Sequence, residues 1–88
     1  MENDTIYNII RSGRPGATDM EIHIAAEKAR VLDFALELPE GLQARTGNGG
    51  SRLSRSQWHC IGLARTLLRD KAVTAIAQAL TTIRLPLR

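Results

Sequence analysis

The sequence predicts a small, mainly α-helical domain. Three observations carry that expectation. Apolar residues recur at spacings of three and four in separate stretches, two Ser/Thr-x-x-Glu/Gln capping boxes open such stretches, and glycine–proline clusters divide them. The count comes to three or four helices, with a glycine-rich loop ahead of the longest. Eighty-eight residues allow one core and no second one. A chain of this size buries only roughly 60–65% of its unfolded surface, so its stability should be marginal.

The elements follow in order. Thr5 to Arg11 sets Ile6, Ile9 and Ile10 at helical spacing, and Ser12-Gly13-Arg14-Pro15-Gly16 then breaks the chain. Thr18-Asp19-Met20-Glu21 is a capping box. The helix behind it puts Ile22, Ala25, Ala26 and Ala29 on one face, with Glu21, Glu27 and Lys28 off it. A third helix, Val31 to Leu38, turns Val31, Leu32, Phe34, Ala35 and Leu38 toward the core and ends at Pro39-Glu40-Gly41. Gln43 to Arg52 is loop. Ser54-Arg55-Ser56-Gln57 is the second capping box, and it opens what should be the longest and most buried helix. Cys60, Ile61, Leu63, Ala64, Leu67 and Leu68 form its apolar arc, opposite His59, Thr66 and Arg69. Residues 72–76 (Ala-Val-Thr-Ala-Ile) read as one short strand with no partner to pair with, or as further helix.

Composition removes several classes of function. Cys60 is the single cysteine, so the chain has no internal disulfide and no cysteine-based metal site, and Cys60 reads as a small core residue. His23 lies on a polar helix face with no second ligand beside it and takes no role. Met1-Glu2-Asn3-Asp4 has neither the basic nor the apolar region of a signal peptide. The longest uncharged run, Ala72 to Ile83, falls short of the ~20 apolar residues of a membrane span. The chain therefore reads as soluble and cytoplasmic, without membrane insertion. Its net charge of +3 is unevenly spread: acids outnumber bases up to Glu40, and beyond it Asp70 is the one acid among eight Arg and Lys. These cations are scattered and have only Trp58 nearby to stack a base, so nucleic acid is not the expected partner.

One stretch suggests specific chemistry. Gly47-Asn48-Gly49-Gly50-Ser51-Arg52-Leu53-Ser54-Arg55-Ser56-Gln57 is a glycine-rich loop running into a helix start. A helix N-terminus presents backbone N–H groups and a partial positive charge, which suits an anion.

Four stretches, taken together, resemble a known family. They are Asp4-Thr5-Ile6-x-x-x-Ile10-Arg11-x-Gly13-Arg14-Pro15-x-Ala17-Thr18-Asp19, then Asp33-Phe34-x-x-x-Leu38-Pro39-Glu40-Gly41, then Gly47-x-x-Gly50-x-x-Leu53-Ser54-x-x-Gln57, then Ile61-x-Leu63-Ala64-Arg65-x-Leu67-Leu68-Arg69-Asp70. In this order and spacing they resemble the helical subdomain of the nucleotide-binding domain of ATP-binding cassette (ABC) transporters of the exporter type. The resemblance runs from Asp4 to about Ile83. It implies that residues 1–88 are one partial domain of a P-loop ATPase, with 71–88 a degenerate tail. In that family two such domains hydrolyse ATP with Mg²⁺ to drive a membrane transporter. A Leu-Ser-Gly-Gly-Gln motif on one domain contacts the γ-phosphate of ATP held by the other.

Leu53-Ser54-Arg55-Ser56-Gln57 occupies that motif's place, so Ser54, Arg55, Ser56 and Gln57 are the candidate nucleotide-contacting residues, acting in trans. Both glycines are replaced. Arg55 is either a guanidinium clamp on phosphate or bulk where bare backbone should dock, and the second reading is preferred because other motifs depart too. In the family's register Ala77 stands where an aspartate helps hold Mg²⁺, Gln78 where a glutamate activates water, and Arg84 where another aspartate lies. Lys28 and Lys71 are each followed by alanine, so Gly-x-x-x-x-Gly-Lys-Ser/Thr is absent from the 88 residues. The expectation is a catalytically inactive piece of an exporter's ATP-binding subunit, with at most residual phosphate contact in trans and no cofactor of its own. Its implied partners are a transporter membrane domain or a second nucleotide-binding domain, at the inner face of a membrane. The alternative is a non-enzymatic helical module that docks on a transporter or an intact ATPase domain.

Overall fold

Three helices open where a hydroxyl side chain closes them. The computed structural model describes residues 3–47, 52–70 and 72–83. Thr5 Oγ1 accepts the Asn8 amide at 3.0 Å and starts α1 (Ile6–Arg11). Thr18 starts α2 (Asp19–Lys28) through a complete capping box: the Glu21 amide donates to Thr18 Oγ1 at 3.2 Å, and the Thr18 amide donates to Glu21 Oε1 at 2.7 Å. Ser54 starts α4 (Arg55–Arg69) in the same way. Between them lie α3 (Leu32–Ala35) and a 3₁₀ turn (Gly41–Gln43), and α5 (Ala72–Ile83) follows α4. The mainly α expectation holds, with five α-helices among the described residues rather than three or four.

α2 ends in a Schellman turn. The Val31 amide reaches back to the Ala26 carbonyl at 2.8 Å and the Arg30 amide to Glu27 at 3.0 Å. Arg30 carries φ 66°, the left-handed conformation that glycine usually supplies there. The helix expected over 31–38 contracts to Leu32–Ala35. Its backbone tightens to i−3 bonds from Glu37 (to Phe34, 3.2 Å) and Leu38 (to Ala35, 3.0 Å), and Pro39 has no N–H to continue.

The core lies between α1, α2 and α4. Ile6 and Ile10 meet Ile22, Ala25 and Ala26, and Ile61, Ala64 and Leu68 close the other side. α1 approaches α4 so closely at its exit that a Cβ on Gly13 would collide with the Arg65 carbonyl. Two expectations of burial need correcting. α4 is the longest helix, but α2, which packs against α1, α3, α4 and α5, carries more buried residues. Leu63, placed in the apolar arc of α4, is 44% exposed, since its direction lies beyond the reach of α1 and α2.

The strand reading of 72–76 also gives way. With no strand among the described residues to pair with, these residues form the first turns of α5, which buries Val73 and Ala77.

Candidate functional site

The loop and helix start are built from the chain's beginning. Residues 3–6 run beside 44–47: the Ile6 amide bonds to the Ala44 carbonyl at 3.0 Å, the Thr46 amide to Asp4 at 2.9 Å, and Thr5 and Arg45 form an isolated antiparallel bridge. The Gly47 amide donates to Asn3 Oδ1 at 3.0 Å, and Gly47 takes φ 85°, a turn open to glycine. The Arg52 amide then closes onto the Thr46 carbonyl at 3.0 Å, while Arg52 Nη1 donates to the Arg45 carbonyl at 2.9 Å. Both stems of the loop are thus fixed. Asn48, Gly49, Gly50 and Ser51 lie outside the described residues.

Ser54, Arg55, Ser56 and Gln57 come together as the first turn of α4. The Gln57 amide donates to Ser54 Oγ at 3.2 Å, the Ser54 amide donates to Gln57 Oε1 at 2.8 Å, and the Ser54 and Ser56 hydroxyls lie 3.2 Å apart. The cap therefore uses the Ser54 and Gln57 side chains and two of the first-turn donors. It leaves the amides of Arg55 and Ser56 as the donors it does not use. No acid lies in this turn, and the side chains of Ser54, Arg55 and Ser56 are exposed. The arrangement is a positive, solvent-facing helix end that projects the side chains of Arg55 and Ser56.

Ala77 and Gln78 are not near this turn. They sit on α5, in a cleft that no residue of the turn lines. With Arg14, Thr18, Glu21 and Thr74 they line an open cleft of about 720 Å³. Arg84 lies outside the described residues. The Ala77 side chain offers no oxygen, Gln78 offers a neutral amide, and among the described residues no group of three His, Cys, Asp or Glu gathers. This donor set does not fit Mg²⁺.

The cleft's chemistry lies in a cluster that the sequence reading did not assemble. Arg14 Nη2 donates to Glu21 Oε2 at 2.6 Å and to Thr74 Oγ1 at 2.7 Å, and Arg14 Nε donates to the Leu68 carbonyl at 3.1 Å. Glu21, placed off the apolar face by its helical spacing, is instead buried. Hydrogen bonds from the Thr18 amide, the Thr74 hydroxyl and the Arg14 guanidinium hold its carboxyl down to about 2. The capping box was a signal for Glu21's role at Thr18. Nothing local signals Arg14, whose partners on α4 and α5 lie 54 and 60 residues away. On the opposite face of α2, Tyr7 Oη donates to Asp19 Oδ1 at 2.7 Å, which raises the phenol's pKa. His23 is exposed beside this pair, with Nδ1 2.9 Å from the Asp19 carbonyl.

No protein-family model matches the chain. Individual proteins do. Over 81 residues, 92% of its length, it is 40% identical to the ATP-dependent lipid A-core flippase of Desulfotalea psychrophila and 37% identical to ATP-binding cassette sub-family B member 6 of Rattus norvegicus. Its fold superposes on a bacterial Atm1-family ABC exporter solved with ATP bound, with a TM-score of 0.73 and 37% identity over 80% of the chain. The chain is homologous to one segment of the ABC exporters. It spans 14% of the flippase, 10% of the rat protein and 12% of the solved exporter chain. ABC-exporter sequence thus accounts for nearly all of the 88 residues, including the helix start at Ser54 and at least the greater part of α5.

Proposed function

We propose that this ABC-exporter segment is a helical subdomain of ATPase type that hydrolyses no ATP by itself. Its α4 start corresponds to the family's phosphate-contacting motif with the close approach lost. One observation carries this reading: the first turn of α4 is a fully formed capping box that projects the exposed side chains of Arg55 and Ser56. ATP and Mg²⁺ would be held by a second nucleotide-binding domain, and the chain would lie at the cytoplasmic face of a membrane, beside a transporter. Supporting the inactive reading, the 88 residues contain no Gly-x-x-x-x-Gly-Lys-Ser/Thr, and Ala77 and Gln78 supply neither metal ligand nor base.

The test is ATP-dependent association of the chain with an intact exporter ATPase domain, measured by sedimentation. The native chain should associate no better with ATP than without, and the Arg55→Gly/Ser56→Gly variant should gain ATP dependence. A native chain that associates with ATP, and loses this on Ser54→Ala, would mean that Arg55 and Ser56 do not block the contact.

A second reading rests on the exposed leucines. Leu36, Leu63 and Leu80 are 73%, 44% and 51% exposed, and a module that docks on another protein without nucleotide would cover them. Nucleotide-independent binding to the same ATPase domain would favour it.

A further inference from the structure

We propose that α5 is a strap that opens as a unit from the body made by α1–α4, with the Arg14–Thr74 hydrogen bond as its latch. The composition of α5 works against a helix. Half of its residues (Val73, Thr74, Ile76, Thr81, Thr82 and Ile83) are β-branched, and it carries no charge to form side-chain pairs along its surface. Its packing is one-sided. Val73 and Ala77 are buried, Ile76 is half-buried, and Ala75, Ala79 and Leu80 face solvent. A helix that is apolar on both faces is stable when both are covered, and here one is.

The body does not need α5 to the same degree. Ile6, Ile10, Ile22, Ile61 and Leu68 are fully buried, and α1, α2 and α4 each have a hydroxyl cap. When α5 leaves, Arg14 and Glu21 both lose the Thr74 hydroxyl, but Arg14 keeps the Leu68 carbonyl and Glu21 keeps Arg14 and the Thr18 amide, so the carboxylate stays paired. Elements with few buried apolar contacts open at free energies below that of global unfolding. The opening removes one wall of the cleft beside Arg14 and frees an uncharged, β-branched segment.

The test is native-state hydrogen exchange on the full chain, read residue by residue by NMR. Amides from Ile76 to Ile83 should exchange at least roughly 100-fold faster than those from Ile61 to Leu68. Thr74→Val keeps the side chain's shape and removes both the acceptor for Arg14 and the donor to Glu21. It should speed exchange in α5 by roughly tenfold and leave α4 unchanged. Thr74→Ser keeps the acceptor and should leave α5 within about twofold of the native rate. Equal protection of α4 and α5, acceleration of all helices together by Thr74→Val, or a Thr74→Ser variant that matches Thr74→Val would overturn the proposal.

Discussion

Arg14 and Glu21 pair at 2.6 Å across the turn between α1 and α2, with 6% of the Glu21 side chain exposed. The same guanidinium reaches α4 through the Leu68 carbonyl and α5 through Thr74. One cation therefore joins the connection after α1 to three helices, and the carboxylate that neutralises it is also the capping residue of α2.

That double use sets a pH dependence. The folded carboxyl lies at about 2, below its ordinary 4.5, so the ionised form favours the fold. The contribution is complete above about pH 5 and is lost as pH falls through 4.5 toward 2. After screening at the partly exposed Arg14, it should amount to about 2 kcal/mol. Denaturant melts of the native chain at pH 6 and pH 3 should differ by about 1 kcal/mol from this group, the part of the contribution already lost one unit above the folded value. Glu21→Gln should be less stable at pH 6 and should show much less of the decline.

Two glycines should respond in opposite directions to alanine. Gly13→Ala forces its Cβ against the Arg65 carbonyl, a backbone group that moves only with α4, and should cost about 2 kcal/mol or more. Gly62, in the middle of α4, has open space around its Cβ position, and Gly62→Ala should stabilise by about 0.5–1 kcal/mol through the unfolded state. Melting both variants by circular dichroism checks the pair. Equal shifts would mean that α1 and α4 do not meet at Gly13.

The features read correctly from sequence are those decided within a few residues. Thr18 and Ser54 cap their helices because a hydroxyl reaches an amide three positions on, and such bonds survive any tertiary context. The residues misread depend on distant neighbours. Glu21 is buried because Arg14 comes down on it, and Leu63 is exposed because nothing covers its side of α4; residues 72–76, readable as strand or helix, take the helix for want of a strand among the described residues. At the candidate site the turn itself was legible, and the stem bonds from Asn3, Asp4 and Thr46 were not, since they join residues over 40 positions apart.

Arg30 offers a test of local strain. An L-residue in the left-handed region costs about 1–2 kcal/mol, and the exposed Arg30–Asp33 pair at 2.8 Å returns little of it. Arg30→Gly should therefore raise stability by about 0.5 kcal/mol, once glycine's greater freedom in the unfolded chain is counted. Arg30→Val should lower it by about 1 kcal/mol, because β-branching aggravates the clash. The measurement is the urea midpoint of each variant at constant slope.

The helix start at Ser54 separates architecture from phosphate contact. Ser54→Ala removes the acceptor for the Gln57 amide and the neighbour of the Ser56 hydroxyl, so it should cost about 1 kcal/mol whether or not nucleotide is present. Arg55→Gly/Ser56→Gly leaves the capping bonds in place and should cost about 1 kcal/mol through helix propensity alone. The two variants thus lose similar stability by different routes. Only the glycine variant bares the two amides that the capping box does not use. A sulfate or phosphate titration followed by amide chemical shifts should accordingly move the residue 55 and 56 signals in the glycine variant and leave them in place in the native chain. Equal shifts in both would show that the side chains at 55 and 56 already let an anion in, and the loss of close approach would have to be sought elsewhere in the loop.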